Sequence, residues 1–147
     1  MNDMIIDPAS ARALALVTIA LWLKAMAMST VQVVVRIRSR SVTRSEDARL
    51  MRIPVSAREH PLVDSLGDAW RNETEATPIF LALSGAYVIL GGASVAFGLI
   101  LLTYVAMRWV HGLMQATSSQ PGRTLAWLGG VAATIAVTVL LLIQIAG

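Results

Sequence analysis

The stretch that decides the fold is "DAWRNETEATPIF", residues 68–80, because it joins a charged segment to a long apolar one. Residues 78–107, which begin inside this stretch, contain no charged side chain. As a single helix they would be about 45 Å long, well beyond the roughly 30 Å hydrocarbon core of a bilayer. The segment Gly91-Gly92-Ala93-Ser94 breaks the run near its middle. The sequence therefore predicts two helices joined by a tight hairpin.

The composition of the whole chain is that of a membrane protein. Hydrophobic residues make up 56% and charged residues 14% of the 147 residues, whereas soluble domains carry about 25% charge. The charges are concentrated, which leaves long stretches almost without them. The chain has no cysteine and two histidines, so it contains no disulfide and no protein-borne thiol nucleophile, and we expect no metal site.

The hydrophobic pattern predicts four membrane spans in one domain, residues 1–147. The fold class we predict is all-α, an integral membrane four-helix bundle. The polar connection between the first two spans covers about residues 36–65. The predicted spans are about 11–35, 66–90, 93–115 and 123–145.

The distribution of arginine predicts the orientation of these spans. Residues 36–76 contain eight of the eleven arginines and seven of the nine acids. By the positive-inside rule this connection is cytoplasmic, and both termini then lie on the non-cytoplasmic side. In a membrane protein such a cluster indicates topology before it indicates nucleic-acid binding, so we expect the bilayer and no nucleic acid as partner. The compact, arginine-rich chain would suit a bacterial inner membrane.

Polar side chains from all four predicted spans meet at the cytoplasmic end of the bundle. Ionisable groups within a membrane usually face a bundle interior or a cavity. A convergent and mainly cationic layer suits a small anionic ligand that enters from the cytoplasm. The side chains in this layer are Arg36, Asn72, Glu75, Arg108, His111 and Arg123.

The acidic stretch also has a simpler interpretation. Asn72 and Glu75 have the spacing of a capping box, and Thr77-Pro78 resembles a second helix start. In that interpretation the two side chains would only satisfy backbone groups at a helix end.

The basic residues have simpler interpretations as well. Arg108 is close enough to a helix end to extend to the interface, and His111 can bond the same helix end. Arg36 and Arg123 can be plain positive-inside anchors. Lys24 lies too deep in the first span to reach the interface, so we expect it to face the bundle.

Several stretches of the chain resemble the MAPEG family, the membrane-associated proteins in eicosanoid and glutathione metabolism. The resemblance covers nearly the whole chain, with the motifs in the family's order and spacing. "RNETEATPIF" resembles the family's Asn-x-x-Glu-Asn-x-Pro-x-Phe motif, and "SEDARL" resembles its acidic stretch. The other two stretches are "LKAMAMSTVQVVVRIRSR", residues 23–40, and "MRWVHGLMQATSSQPGRTLAW", residues 107–127.

The resemblance implies a homotrimer that binds glutathione, as co-substrate, between neighbouring protomers at the cytoplasmic side. Arg123 matches the arginine beside the glutathione sulfur, Thr124 lies where some members have serine, and Asp47 matches the aspartate of the acidic stretch, so these three are the catalytic candidates. A cation beside the sulfur lowers its pKa and favours the thiolate nucleophile. The implied glutathione-binding residues are Arg36, Arg71, Asn72, Glu75, Arg108 and His111.

The chain departs from the family pattern at four positions near this site. Asp68 and Trp70 stand where members often have arginine and histidine, Ala76 replaces an asparagine, and Gln115 replaces a tyrosine. These changes remove a positive charge and hydrogen-bonding groups from the expected glutathione site.

Two functions therefore remain as hypotheses. The first is a membrane glutathione transferase or glutathione-dependent peroxidase that acts on lipophilic electrophiles. The second is a non-catalytic lipid-binding or scaffold protein of the same fold, which Asp68, Trp70 and Gln115 favour. A small transporter subunit is a weaker third alternative, because we expect no acid deep in the spans to couple protons.

Overall fold

The computed structural model describes residues 6–147, and the secondary structure in this range is helical, without a strand. The predicted all-α class is confirmed. Five helices follow one another in these residues: α1 Pro8–Ser39, α2 Ser45–Met51, α3 Pro61–Ile89, α4 Val95–Ala116 and α5 Gln120–Ala146.

Helix α1 is longer than the predicted span 11–35 at both ends. Asp7 caps its start by accepting the backbone N–H of Ser10 at 2.7 Å, and Pro8 supplies a preset φ at the first helical position. The helix ends where Arg40 adopts a left-handed conformation with φ 51°. The extra residues at its C-terminal end carry Arg36 and Arg38 beyond the predicted span.

The connection between α1 and α3 is more ordered than the predicted polar loop 36–65. It contains helix α2, and Val42 and Ala48 are each only 2% exposed. Helix α3 begins at Pro61, so residues 61–65 are helical rather than part of the loop. His60 caps this start, since its Nδ1 accepts the N–H of Leu62 at 3.2 Å.

Helix α3 passes through Pro78 without ending there. A proline within a helix removes one backbone hydrogen bond, here the one to the carbonyl of Thr74. The interpretation of Asn72 and Glu75 as caps, with Thr77-Pro78 as a new helix start, is therefore wrong. Both residues lie in the middle of one continuous helix.

The predicted hairpin between α3 and α4 is confirmed. Gly91 has a φ of 76°, a conformation that favours glycine. The ring of Tyr87 packs so closely on Gly92 that a Cβ there would collide with it. Ser94 then caps α4 by accepting the N–H of Phe97 at 3.1 Å.

The four long helices pack against one another around an aromatic and aliphatic core. The rings of Phe80 and Tyr104 stack in parallel with their centroids 3.6 Å apart. Val137 of α5 and Leu101 of α4 are fully buried beside them. The connectivity brings Ser39, Pro61, Ala116 and Gln120 to one end of the molecule, which we call the arginine end.

Three helices in the described part of the chain, α1, α4 and α5, are long and apolar enough to cross a membrane. Large apolar side chains on their outer faces are exposed, for example Leu16 at 67% and Val95 at 84%. The chain is therefore an integral membrane protein. Helix α3 does not reach the same apolarity because its first half carries charged residues, so the fourth span stays a prediction.

Candidate functional site

Three charged side chains from three helices meet in the interior of the molecule. Glu73 of α3 accepts a hydrogen bond from Nζ of Lys24 in α1 through Oε2. The same oxygen lies 3.2 Å from Nη2 of Arg108 in α4. The three residues are only 2%, 7% and 1% exposed, in the order Lys24, Glu73 and Arg108. Two cations and one anion leave this cluster with one net positive charge.

The helical repeat of α3 explains why Glu73 points inward. Residues three, four or seven positions apart share a helix face. The buried face of α3 includes Leu66, Ala69, Glu73, Phe80 and Ser84, which follow this spacing. The acid therefore lies on the same face as the hydrophobic core.

The second oxygen of Glu73 extends the cluster toward the core. Oε1 accepts a hydrogen bond from Thr77 Oγ1 at 2.9 Å. Thr77 Oγ1 also lies 3.2 Å from the hydroxyl oxygen of Tyr104. The guanidinium carbon of Arg108 is 5.8 Å from the centroid of the Tyr104 ring, within cation–π range. Buried charges are tolerated where such partners are present.

Arg108 makes two hydrogen bonds to a single residue of α3. Its Nη1 donates to Oδ1 of Asn72 at 2.9 Å, and its Nη2 donates to the backbone carbonyl of Asn72 at 3.1 Å. No partner within residues 6–147 accepts from its Nε. The interpretation that Arg108 extends to the membrane interface is wrong, since the side chain is buried inside the molecule.

His111 and Gln115 continue the buried face of α4 from Arg108 toward the arginine end. His111 is 5% exposed, and in the described part of the chain its Nδ1 has no hydrogen-bond partner. Gln115 accepts from Nη1 of Arg123 at 3.1 Å through its side chain. Its backbone carbonyl accepts from Ser65 Oγ at 2.7 Å. Arg123 is thus connected to the interior through Gln115.

Arg108 also lines an open groove of about 180 Å³ between α3, α4 and α5. The walls of this groove are mostly apolar and aromatic. A separate, larger groove of about 560 Å³ between α1 and α4 is apolar and contains none of the charged cluster. The groove that contains Arg108 is also lined by Ala76, Ile79, Tyr104, Trp127, Gly130, Val131, Thr134 and Ile135.

Arg36 pairs with an acid of the α1–α3 connection. Its Nε donates to Glu59 Oε2 at 3.0 Å, and Thr43 Oγ1 donates to Glu59 Oε1 at 2.9 Å. Partial burial acts to raise the pKa of the Glu59 carboxyl. The hydrogen bonds from Arg36 and Thr43 outweigh burial and hold that pKa below its ordinary value. Arg36 thus fastens the connection to the end of α1.

Four of the predicted site residues lie on the surface of the single chain, away from the cluster. Arg71 is exposed, and its Nη2 is 3.8 Å from Asp68 of the same helix. Glu75, Asp47 and Thr124 are also exposed. The structure of one chain brings together Asn72, Arg108, His111 and, through Gln115, Arg123.

The two cluster residues missing from the predicted site are Lys24 and Glu73. Lys24 was expected to face the bundle, and this is confirmed. The expectation that no acid lies deep in the helices is wrong, because Glu73 is buried; it is paired with two cations. The signal that identifies Glu73 is its spacing of seven residues from Phe80, whereas Glu75 lies off that face.

Comparison with protein-family models places the chain in a known family. The MAPEG family model matches residues 13–143, which is nearly the whole chain. The chain belongs to the MAPEG family, which includes glutathione transferases as well as members without catalysis. A search of curated proteins gave no match.

Proposed function

We propose that the protein is a membrane-bound glutathione transferase or glutathione-dependent peroxidase. The observation that carries this proposal is the buried Arg108, bonded to the half-buried Asn72, which brings positive charge to the edge of an open groove. A net positive, hydrogen-bond-donating site surrounded by apolar walls favours an anionic ligand. Glutathione carries two carboxylates and, when ionised, a thiolate.

The binding residues have distinct roles in this proposal. Asn72 and Arg108 anchor the peptide from inside the molecule, and His111 lies one turn away from Arg108. The exposed side chains complete the site from the arginine end. The guanidinium of an arginine there can donate two hydrogen bonds to one carboxylate. The proposed glutathione-binding set is Arg36, Arg71, Asn72, Glu75, Arg108 and His111.

The proposed chemistry is an attack by the glutathione thiolate on an electrophile. Arg123 lies beside the sulfur and lowers the thiol pKa, so that the proton leaves to solvent. The thiolate then forms a carbon–sulfur bond while the leaving group of the substrate departs. Thr124 assists by hydrogen bonding. Asp47, which lies in the connection between α1 and α3, is the third proposed catalytic residue. Lipophilic electrophiles reach the site by partitioning into the bilayer.

A homotrimer of four-span protomers is part of the proposal. The groove of about 180 Å³ in one chain is smaller than the roughly 300–1,000 Å³ of typical ligand sites. A neighbouring protomer would enlarge it and cover exposed residues such as Arg71 and Glu75. We place the arginine end in the cytoplasm of a bacterial inner membrane, with both termini outside. Native mass spectrometry of the purified protein tests the trimer.

One contact favours the alternative of a non-catalytic lipid-binding or scaffold protein. The guanidinium of Arg123, the proposed partner of the sulfur, already donates to Gln115. Gln115 stands at the position where the family often has tyrosine. An arginine held by a protein side chain is less available to a thiolate, and this would favour binding without conjugation.

Calorimetry with glutathione distinguishes the two functions. The proposal predicts that wild-type protein in detergent binds glutathione and that Arg108→Ala abolishes binding. Arg12→Ala is the matched control, because Arg12 is exposed near the opposite end of α1. A screen of electrophiles then follows. If no heat of binding is measured at millimolar glutathione, the proposal of a glutathione-dependent enzyme is rejected, and the non-catalytic lipid-binding or scaffold protein remains.

A further inference from the structure

A chain of contacts runs from Lys24 of α1 through Glu73 and Arg108 to Asn72, one of the proposed glutathione-binding residues. We propose that Lys24 and Glu73 are positioning residues: through Arg108 they orient the Asn72 amide so that its N–H donors face the ligand and select a hydrogen-bond acceptor there. The inference rests on the proposed function for its ligand, but the orientation itself can be measured without one.

The first step is that Glu73 fixes the Arg108 guanidinium. One carboxylate oxygen of Glu73 is shared by Lys24 and Arg108, and the other accepts from Thr77. Both oxygens of this carboxylate therefore have partners. Because these partners fix the carboxylate, Nη2 of Arg108 has an anion at a fixed distance of 3.2 Å. The planar guanidinium cannot rotate without losing this contact with Glu73.

The second step is that Arg108 fixes the Asn72 amide. A guanidinium donates hydrogen bonds and accepts none. The oxygen Oδ1 of Asn72, at 2.9 Å from Nη1, must therefore face Arg108. The second bond, from Nη2 to the carbonyl of the same residue, ties the guanidinium to this turn of α3. The amide nitrogen of Asn72 is then turned away from Arg108.

The third step is the chemistry that this orientation selects. The two N–H donors are then the groups that the Asn72 amide offers to a ligand, so an acceptor such as a carboxylate or carbonyl oxygen is favoured there. A ligand amine at the same position would meet donors and positive charge. If Glu73 did not hold Arg108, the amide could flip and present its oxygen instead.

The double variant Lys24→Met/Glu73→Gln separates positioning from stability. It removes one cation and one anion with side chains of similar size, so the cluster keeps one net positive charge on Arg108. Arg108 then keeps its bonds to Asn72 but loses its anionic partner, and a buried ion without a counter-charge is destabilising, so thermal unfolding is measured beside affinity. Gln144→Met is the control, since Gln144 is a polar residue bonded to Leu90 at the opposite end.

The experiment combines three measurements on these proteins in detergent. Thermal unfolding checks the fold, calorimetry gives glutathione affinity, and side-chain ¹⁵N NMR reports rotation of the Arg108 guanidinium. We expect the double variant to remain folded, to lose the restricted Arg108 signals and to bind glutathione about tenfold more weakly, the loss of one charge-assisted hydrogen bond. Lys24→Arg, which keeps the ion pair, should behave like wild type.

Unchanged affinity together with unchanged Arg108 signals in the folded double variant would overturn the inference. If wild-type protein binds no glutathione, the proposed function fails, and the NMR signals alone decide whether the pair orients Arg108. If the double variant does not fold, Lys24→Met takes its place, because it leaves Glu73 bonded to Arg108 and Thr77. Wild-type Arg108 signals in Lys24→Met would then contradict the role of Lys24.

Discussion

Arg108 of α4 holds Asn72 of α3 by two hydrogen bonds, one to the amide oxygen at 2.9 Å and one to the backbone carbonyl at 3.1 Å. The two residues are 36 positions apart in sequence, so this contact joins α3 and α4 inside the membrane protein. It also commits two nitrogens of Arg108 to the protein itself. The amide oxygen of Asn72 is occupied by this contact, whereas Nε of Arg108 has no partner within the described residues.

We predict that Arg123→Ala reduces turnover more than glutathione affinity. In the proposed function the cation acts on the thiolate as it reacts, so turnover should fall about 100-fold, as for the loss of a donor to a developing charge. Steady-state kinetics with a lipophilic electrophile and calorimetry on the same preparation measure both quantities. Arg12→Ala serves as the control. An equal loss of both quantities, or no loss, would remove Arg123 from this role.

Glu59→Gln should make stability less dependent on acid pH. The pKa of Glu59 is lowered in the folded protein, so its stabilising contribution is complete above the pKa of the unfolded chain, about 4.3, and disappears as pH falls through the folded pKa. The Arg36 side chain is 38% exposed, so solvent screens its pairing with Glu59. The free energy of unfolding that Glu59→Gln loses at pH 7 is therefore about 1 kcal/mol or less.

The measurement for Glu59 is thermal unfolding of wild type and variant from pH 7 to pH 3. The difference between them should be largest at neutral pH and should vanish in acid. Glu46→Gln, an exposed acid on α2, is the control for removal of one negative charge. A difference that grows as the pH falls would contradict the pairing with Arg36.

Phe80→Ala should destabilise the helix packing strongly. Phe80 is 0% exposed, and its loss leaves a cavity against the stacked Tyr104 ring, which costs about 3 kcal/mol or more in protein cores. Unfolding in detergent should show a lowered midpoint. The adjacent Ile79→Ala, at a side chain 58% exposed, should change little. Equal effects of both variants would mean that α3 does not pack in this orientation.

Gln115→Tyr should raise the affinity for glutathione. The substitution releases Arg123 from its bond to Gln115 and restores the side chain common in the family. The gain should be about threefold or more, the contribution of one added hydrogen bond. Calorimetry of Gln115→Tyr beside Leu113→Tyr, whose site is 57% exposed on the same helix, tests this. Unchanged affinity would mean that the departure at Gln115 does not weaken the site.

The sequence predicted the elements whose signals are local. The charge-free run of residues 78–107 and its glycine break predicted the α3–α4 hairpin. The motifs along the chain indicated the family. The start of α3 was placed five residues late, because residues 61–65, which include Pro61 and Asp64, do not look like the beginning of a membrane helix. The features that mark the true start are Pro61 at the first helical position and His60 as its cap.

The charged cluster was the harder part to predict because its partners lie on different helices. A motif comparison selects Asn72 and Glu75 but says nothing of Lys24 and Glu73, which are 49 positions apart. The helical repeat of the buried face does identify Glu73, and the depth of Lys24 requires an acid near it. Which acid pairs with which cation depends on how the helices are rotated, and that follows only from packing.

The polar first half of α3 has a consequence for how the chain enters a bilayer. If α3 spans the bilayer as predicted, Lys24 and Glu73 each add to the free energy of inserting their helices one at a time, since a lysine or aspartate at a helix centre costs about 2.5–3.5 kcal/mol. In helices that entered together, the opposite charges of Lys24 and Glu73 would offset each other. We therefore expect α1 to be inserted together with α3 and not before it. The ion pair would then form during membrane integration, before the protein is fully folded.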